Sequence, residues 1–171
     1  SPSQVPLRGP AAPIDPKTGA VPTGSGLFEG EQLVATAKKT GGNVSQQDMR
    51  GFSADRWSGM DHLWWREGKV GDRLTLEVDV AESGQFELQA VFTMAPDYGI
   101  VQLYWDDQPI GEQLDLFNAP HVITTGVLSF GTHQVTADKH RLSVELVGTN
   151  PQAVKAFMVG LDYFQLRPLQ E

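Results

Sequence analysis

The chain contains no cysteine. Disulfides, thiolate metal sites and a cysteine nucleophile are excluded, but an extracellular location is not. No apolar run reaches membrane-spanning length. Positive charge is scarce: 13 Lys and Arg stand against 21 Asp and Glu, a net charge of -8 at pH 7. Phosphate binding needs a basic patch, so nucleic acid is disfavoured as a partner, and an anionic membrane surface equally so. HExxH spacing, a G-x-S-x-G elbow and a glycine-rich phosphate loop opening a helix are all missing, and His62, His121, His133 and His140 are dispersed. The chain therefore reads as a non-enzyme.

At 171 residues, with 40% hydrophobic and 20% charged content, it is long enough for one domain with a real core. Its start at Ser1 rather than at methionine is expected of a processed protein or an excised fragment. Residues 1–26 hold six of the 11 prolines and four glycines. They read as an arm or linker, either a disordered leader or an ordered strap. The domain proper spans 27–168.

Gly71 to Gly111 organises that domain. Leu74, Leu76, Val78 and Val80 alternate with Arg73, Thr75, Glu77 and Asp79. A period of two separates an apolar face from a polar one. Ser83-Gly84 is a turn signal, Gln85 to Ala90 repeats the alternation, and Val101, Leu103 and Trp105 mark a third run closed by Asp106 to Pro109. The three runs predict an antiparallel meander that a second sheet must cover. Further strands are expected at Phe28–Leu33, His62–Trp65, Val122–Val135, Leu142–Leu146 and Phe157–Leu166, with a hairpin turn at Ala137 to Lys139 and a long loop over Gln46–Met60. Many short strands with little helical periodicity predict an all-β, two-sheet antiparallel sandwich or jelly roll.

The order of these pieces resembles the carbohydrate-binding modules of families 6 and 35, with their galactose-binding-domain-like jelly roll. The matching residues are Glu29-Gly30-Glu31, Gly71-Asp72, Gly84-Gln85-Phe86, His140-Arg141-Leu142 and Leu161-Asp162-Tyr163. The resemblance covers Leu27 to about Arg167. Two departures stand out: the hairpin turn is Ala-Asp-Lys rather than glycine-based, and Gln46–Trp65 has no counterpart.

Glu29 and Glu31, two apart on a strand, would share a face. By themselves they read as solvated carboxylates or as cation ligands. The resemblance brings Asp162 beside them, since first and last strands pair, and so implies a structural calcium ion held by Glu29, Glu31 and Asp162. Sugars present apolar C–H faces to aromatic rings, with polar groups taking the hydroxyls. Trp57 and Tyr98 fall in aperiodic stretches, Asp97 adjoins Tyr98, and Trp64 and Trp65 must face opposite ways. Trp105 is in phase with the core. The resemblance adds Asn150 from the last loop. The candidate ligand residues are thus Trp57, Trp64, Asp97, Tyr98 and Asn150, against the alternative that the aromatic residues simply pack.

The expected function is a non-catalytic module that targets a larger protein, secreted or at the cell surface, to a polysaccharide, more readily neutral than anionic. A structural sandwich that mediates protein–protein contacts through its Trp-rich strand is the alternative. A small glycan-active enzyme is a third.

Overall fold

The computed structural model describes residues 26–169. The expected arm at 1–26 lies outside the described residues except for Gly26. Twelve strands are formed: β1 Leu27–Glu29, β2 Lys38–Lys39, β3 Asn43–Asp48, β4 Asp61–Arg66, β5 Arg73–Asp79, β6 Gly84–Met94, β7 Ile100–Trp105, β8 Gln108–Asp115, β9 Ile123–Thr124, β10 Leu128–Val135, β11 Lys139–Gly148 and β12 Val159–Pro168. They make two antiparallel sheets. The larger has the order β10-β6-β12-β4-β3, with β1 also on β12 and β9 also on β6; the smaller has the order β2-β5-β11-β7-β8. The fold is the expected all-β sandwich.

The meander is not formed. β5 and β7 both pair with β11 in the smaller sheet, whereas β6 pairs with β10 and β12 in the larger one. The Ser83-Gly84 turn therefore carries the chain from one sheet to the other, so that successive runs face each other across the core. The Ala137–Lys139 turn does the same, joining β10 of one sheet to β11 of the other. Alternating residues of both inner faces fill the space between: Leu74 and Leu76, Leu88 and Phe92, Leu103 and Trp105, Val144 and Leu146.

Three strands are hidden in the sequence: the two-residue β2, β3 and β8. β3 has a single aliphatic residue, Val44, and is held by pairing with β4, where Val44 faces Trp65. β8 begins directly after Asp106 and Asp107, whose φ angles of 48° and 68° make the tight turn of a hairpin with β7. Pro109 is tolerated because β8 is an edge strand.

β12 changes phase part-way. Val159 and Leu161 point into the core, and so do Phe164 and Leu166. The register against β6 slips between Leu161 and Tyr163. This bulge takes Tyr163 out of the expected Phe157-Val159-Leu161-Tyr163 face.

Candidate functional site

The outer face of the larger sheet is not a plain solvent face. Gln47 of β3 pairs with His62 of β4, and Trp64 of β4 with Gly160 of β12. These residues, with Thr93 of β6, alternate with core residues and so point outward. The β3–β4 connection folds over them. Its base is closed by the Met49 amide donating to the Met60 carbonyl at 2.8 Å. Its tip is tied to β9, where the Thr124 amide and hydroxyl both donate to Asp55 Oδ2, at 2.8 and 2.9 Å.

Under this loop lies Trp57. Sequence reasoning placed it as a stacking ring because the stretch is aperiodic; the structure corrects this. Trp57 is 1% exposed, its Nε1–H donates to Thr93 Oγ1 at 2.8 Å, and its ring meets Phe52 at 6.2 Å. It is the core of the loop rather than an exposed stacking platform. His62, fully buried, lies between Thr93 and Gln47, with Nδ1 2.7 Å from Thr93 Oγ1 and Nε2 2.6 Å from Gln47 Oε1. Burial pushes the imidazole down to a pKa of about 3, so the ring is neutral.

Beside the loop a cleft of about 140 Å³ opens, lined among others by Gln47, Phe52, Trp64, Asp97, Tyr98 and Met158. Three of the expected ligand residues, Trp64, Asp97 and Tyr98, are thus brought together. Trp64 is half-buried. Arg66 sits over its ring at 4.6 Å, and its Nε1–H points to Met158 Sδ at 3.4 Å. Tyr98 is a correction: it is 4% exposed and packs into the core, so it forms wall rather than platform. Burial, reinforced by the Asp97 charge, raises its phenol far above the ordinary value. Asn150 is not brought to this cleft. It lies outside the cleft lining, its Nδ2 donates to Asp115 Oδ2 at 2.7 Å, and its Oδ1 accepts from the Gln152 amide at 2.9 Å. Both ends of its amide order the loop. Gln47 and Phe52 were missed: one sits on a strand with almost no apolar residue, the other in the aperiodic loop.

A larger groove of about 650 Å³ lies at the other end of β6 and β12, lined by Phe28, Val80, Phe86, Leu166, Asp79 and Glu82 among others. Its side chains are chiefly apolar, and its two carboxylates offer no donor.

The acidic cluster forms by a different route from the one expected. β1 stops at Glu29, and Gly30–Thr36 is a 3-10 turn rather than a strand. Gly30 is pressed against β12, where a Cβ would lie 2.1 Å from the Leu161 carbonyl oxygen. The turn still keeps the two carboxyls within reach of each other. Ser58 joins the cluster: its hydroxyl donates to Glu29 Oε2 at 2.7 Å, and its amide donates to both oxygens of Asp162, at 3.1 and 3.2 Å. Among the described residues no three carboxylates close on one point, because Asp162 is turned to that amide. What remains is a pair: Glu29 Oε1 and Glu31 Oε1 are buried with no hydrogen-bond partner. Burial raises the pKa of Glu29, against the Ser58 bond. Burial, with the charges of Glu29 and Asp61, pushes Glu31 up to about 8. Asp162 is raised by burial and by the charges of Glu29 and Glu31, against the Ser58 amide. Two orphaned oxygens on groups that resist ionisation fit a hard cation.

No protein-family model matches the chain, and no curated protein matches it in sequence. Solved structures do. A Paenibacillus xanthan lyase superposes with a TM-score of 0.68 at 17% identity, over 94% of this chain and 14% of that one. A family 35 carbohydrate-binding module from Clostridium thermocellum superposes with a TM-score of 0.50 at 9% identity, over 84% of this chain and 97% of that one. A family 6 module does so with 0.51 at 13%, over 84% and 93%. The chain has the fold of family 6 and family 35 carbohydrate-binding modules. In this module fold the cleft and the carboxylate pair lie on either side of the β3–β4 loop, so one loop shapes both. Among the described residues no helix is long and apolar enough to cross a membrane.

Proposed function

We propose that the chain is a non-catalytic carbohydrate-binding module whose glycan site is the cleft beside the β3–β4 loop. The observation that carries the reading is the lining itself. Aromatic surface from Phe52 and Trp64 stands next to one amide, Gln47, and one carboxylate, Asp97. A ring face plus a few placed polar groups is what a sugar needs. The likeness to modules matched over nearly their whole length supports the same reading. The match to a small part of a xanthan lyase supports a role as one domain of a larger, secreted protein that it directs to a polysaccharide.

A calcium ion is the proposed occupant of the Glu29–Glu31 pair, with Asp162 setting the Ser58 segment against it. Bound there, the ion would neutralise the two carboxylates and fasten the first strand to the last; it would take no part in catalysis.

The test is a glycan array on the chain, with and without chelator, repeated with Trp64→Ala. Binding by the wild type and its loss in a folded Trp64→Ala variant are expected. Unchanged binding by the variant would remove the cleft as the site.

A further inference from the structure

Four side chains from four separate segments form a hydrogen-bonded row across the outer face: Trp57, Thr93, His62 and Gln47. The direction of every bond follows from one end. An indole N–H can only donate, so Trp57 gives its proton to Thr93 Oγ1. Thr93 is fully buried, and among the described residues its hydroxyl meets only Trp57 and His62. A buried hydroxyl proton left unpaired is costly, so it goes to His62 Nδ1. A neutral imidazole that accepts at Nδ1 carries its proton at Nε2. That proton goes to Gln47 Oε1. The oxygen end of the Gln47 amide is thereby engaged, and its NH2 is the end left for the cleft that Gln47 lines.

We infer that Gln47 is the specificity-determining donor of this cleft, fixed in its amide orientation by the row that begins at Trp57, and that the ligand is a neutral pyranose offering one acceptor oxygen to Gln47 and one hydroxyl proton to Asp97. The inference rests on the cleft being the glycan site. The donor comes from a strand and the acceptor from the turn after β6, so two separate elements supply the polar contacts of the cleft. A cleft of about 140 Å³ suits one ring. An acidic sugar would bring its carboxylate against Asp97, and like charges at close quarters are disfavoured.

Two measurements on the whole chain decide it. Long-range proton–nitrogen NMR reads the His62 tautomer with no ligand present. The Nε2–H form is expected; the Nδ1–H form would reverse the row, present the Gln47 oxygen to the cleft and overturn the inference whatever binds. Calorimetric titration then uses the methyl glycosides of glucose, galactose, mannose and xylose, and methyl glucuronide. The wild type should bind at least one neutral glycoside and bind the glucuronide least, with the Gln47 NH2 resonance moving on titration. Gln47→Glu, and Gln47→Met as an uncharged check, should each weaken binding on the order of tenfold. If Trp64→Ala abolishes binding but both Gln47 variants retain it, the cleft is the site and the inference fails alone. If the wild type binds none of the glycosides, or prefers the glucuronide, the inference also fails, while the reading of the cleft stands or falls with the glycan array and Trp64→Ala.

Discussion

The His62 ring lies directly over Gly160, so close that a Cβ at position 160 would sit 2.4 Å from His62 Cε1. Gly160 belongs to β12, between β4 and β6 in the sheet. Its missing side chain is what lets an imidazole on β4 reach across a whole strand to Thr93 on β6. Gly160→Ala should push the ring aside, break the row and destabilise the domain by about 1–3 kcal/mol. Urea denaturation measures this; an unchanged midpoint would show that the ring has room to move.

Trp57→Ala should lower stability, because the ring packs the loop and does not stand on the surface. Removing a fully buried indole that holds down the β3–β4 loop is expected to cost about 3–5 kcal/mol, read as a lowered denaturation midpoint. Trp57→Phe should cost less, since it keeps most of the packing and gives up the bond to Thr93.

Acidification should stabilise the cation-free chain over part of its range. Glu31 is raised from 4.5 to about 8 in the folded state, so between those values the native chain holds more protons than the unfolded one. Stability then falls as pH rises from about 4.5 through 8. Glu31→Gln should flatten that slope in denaturation curves collected in chelator; a slope that persists would place its origin elsewhere.

Added calcium should raise the melting temperature in step with RT ln(1 + [L]/Kd), and chelator should reverse it. Glu29→Gln and Glu31→Gln should each abolish the calcium dependence. A melting temperature indifferent to both calcium and chelator would rule out the ion.

His140 gives a second slope, which begins at 6.5 and so overlaps that of Glu31. Burial opposes its charge, but the Asp106 carboxylate and the Thr136 carbonyl outweigh burial and raise its pKa above 6.5. Its contribution is therefore complete below 6.5 and is lost as pH rises through the folded value. Asp106→Asn should remove that loss, and titration of the His140 ring by NMR should show a lower midpoint in the variant.

The sandwich was legible because its strands alternate cleanly: β5 and β7 were read from Leu74 to Val80 and from Val101 to Trp105. Pairing was not legible. Alternation says which side of a strand is apolar, not which sheet the strand joins, so three consecutive runs looked like neighbours when they face each other. β3 was invisible because an edge strand whose outer face carries Ser45 and Gln47 has no apolar period to detect. The candidate site was legible in part. Trp64, Asp97 and Tyr98 do meet in one cleft, but the lack of period at Trp57 marks a loop folded over its own tryptophan rather than an exposed ring. The acidic pair was found for the wrong local reason, since Glu29 and Glu31 come together through a 3-10 turn. The bulge that takes Tyr163 off the core face leaves no mark in the spacing of Leu161 and Tyr163.

β1 joins β12 through three residue pairs, from Leu27 opposite Gln165 to Glu29 opposite Tyr163. The strands are antiparallel, so the two ends of the domain leave side by side. Tension applied between them would pull this ladder open like a zipper, one pair at a time, instead of shearing all three pairs at once. The last pair to part would be that of Glu29, which also holds Ser58 and adjoins Glu31. The carboxylate cluster therefore stands where a mechanical load on the domain would first meet resistance beyond the backbone ladder.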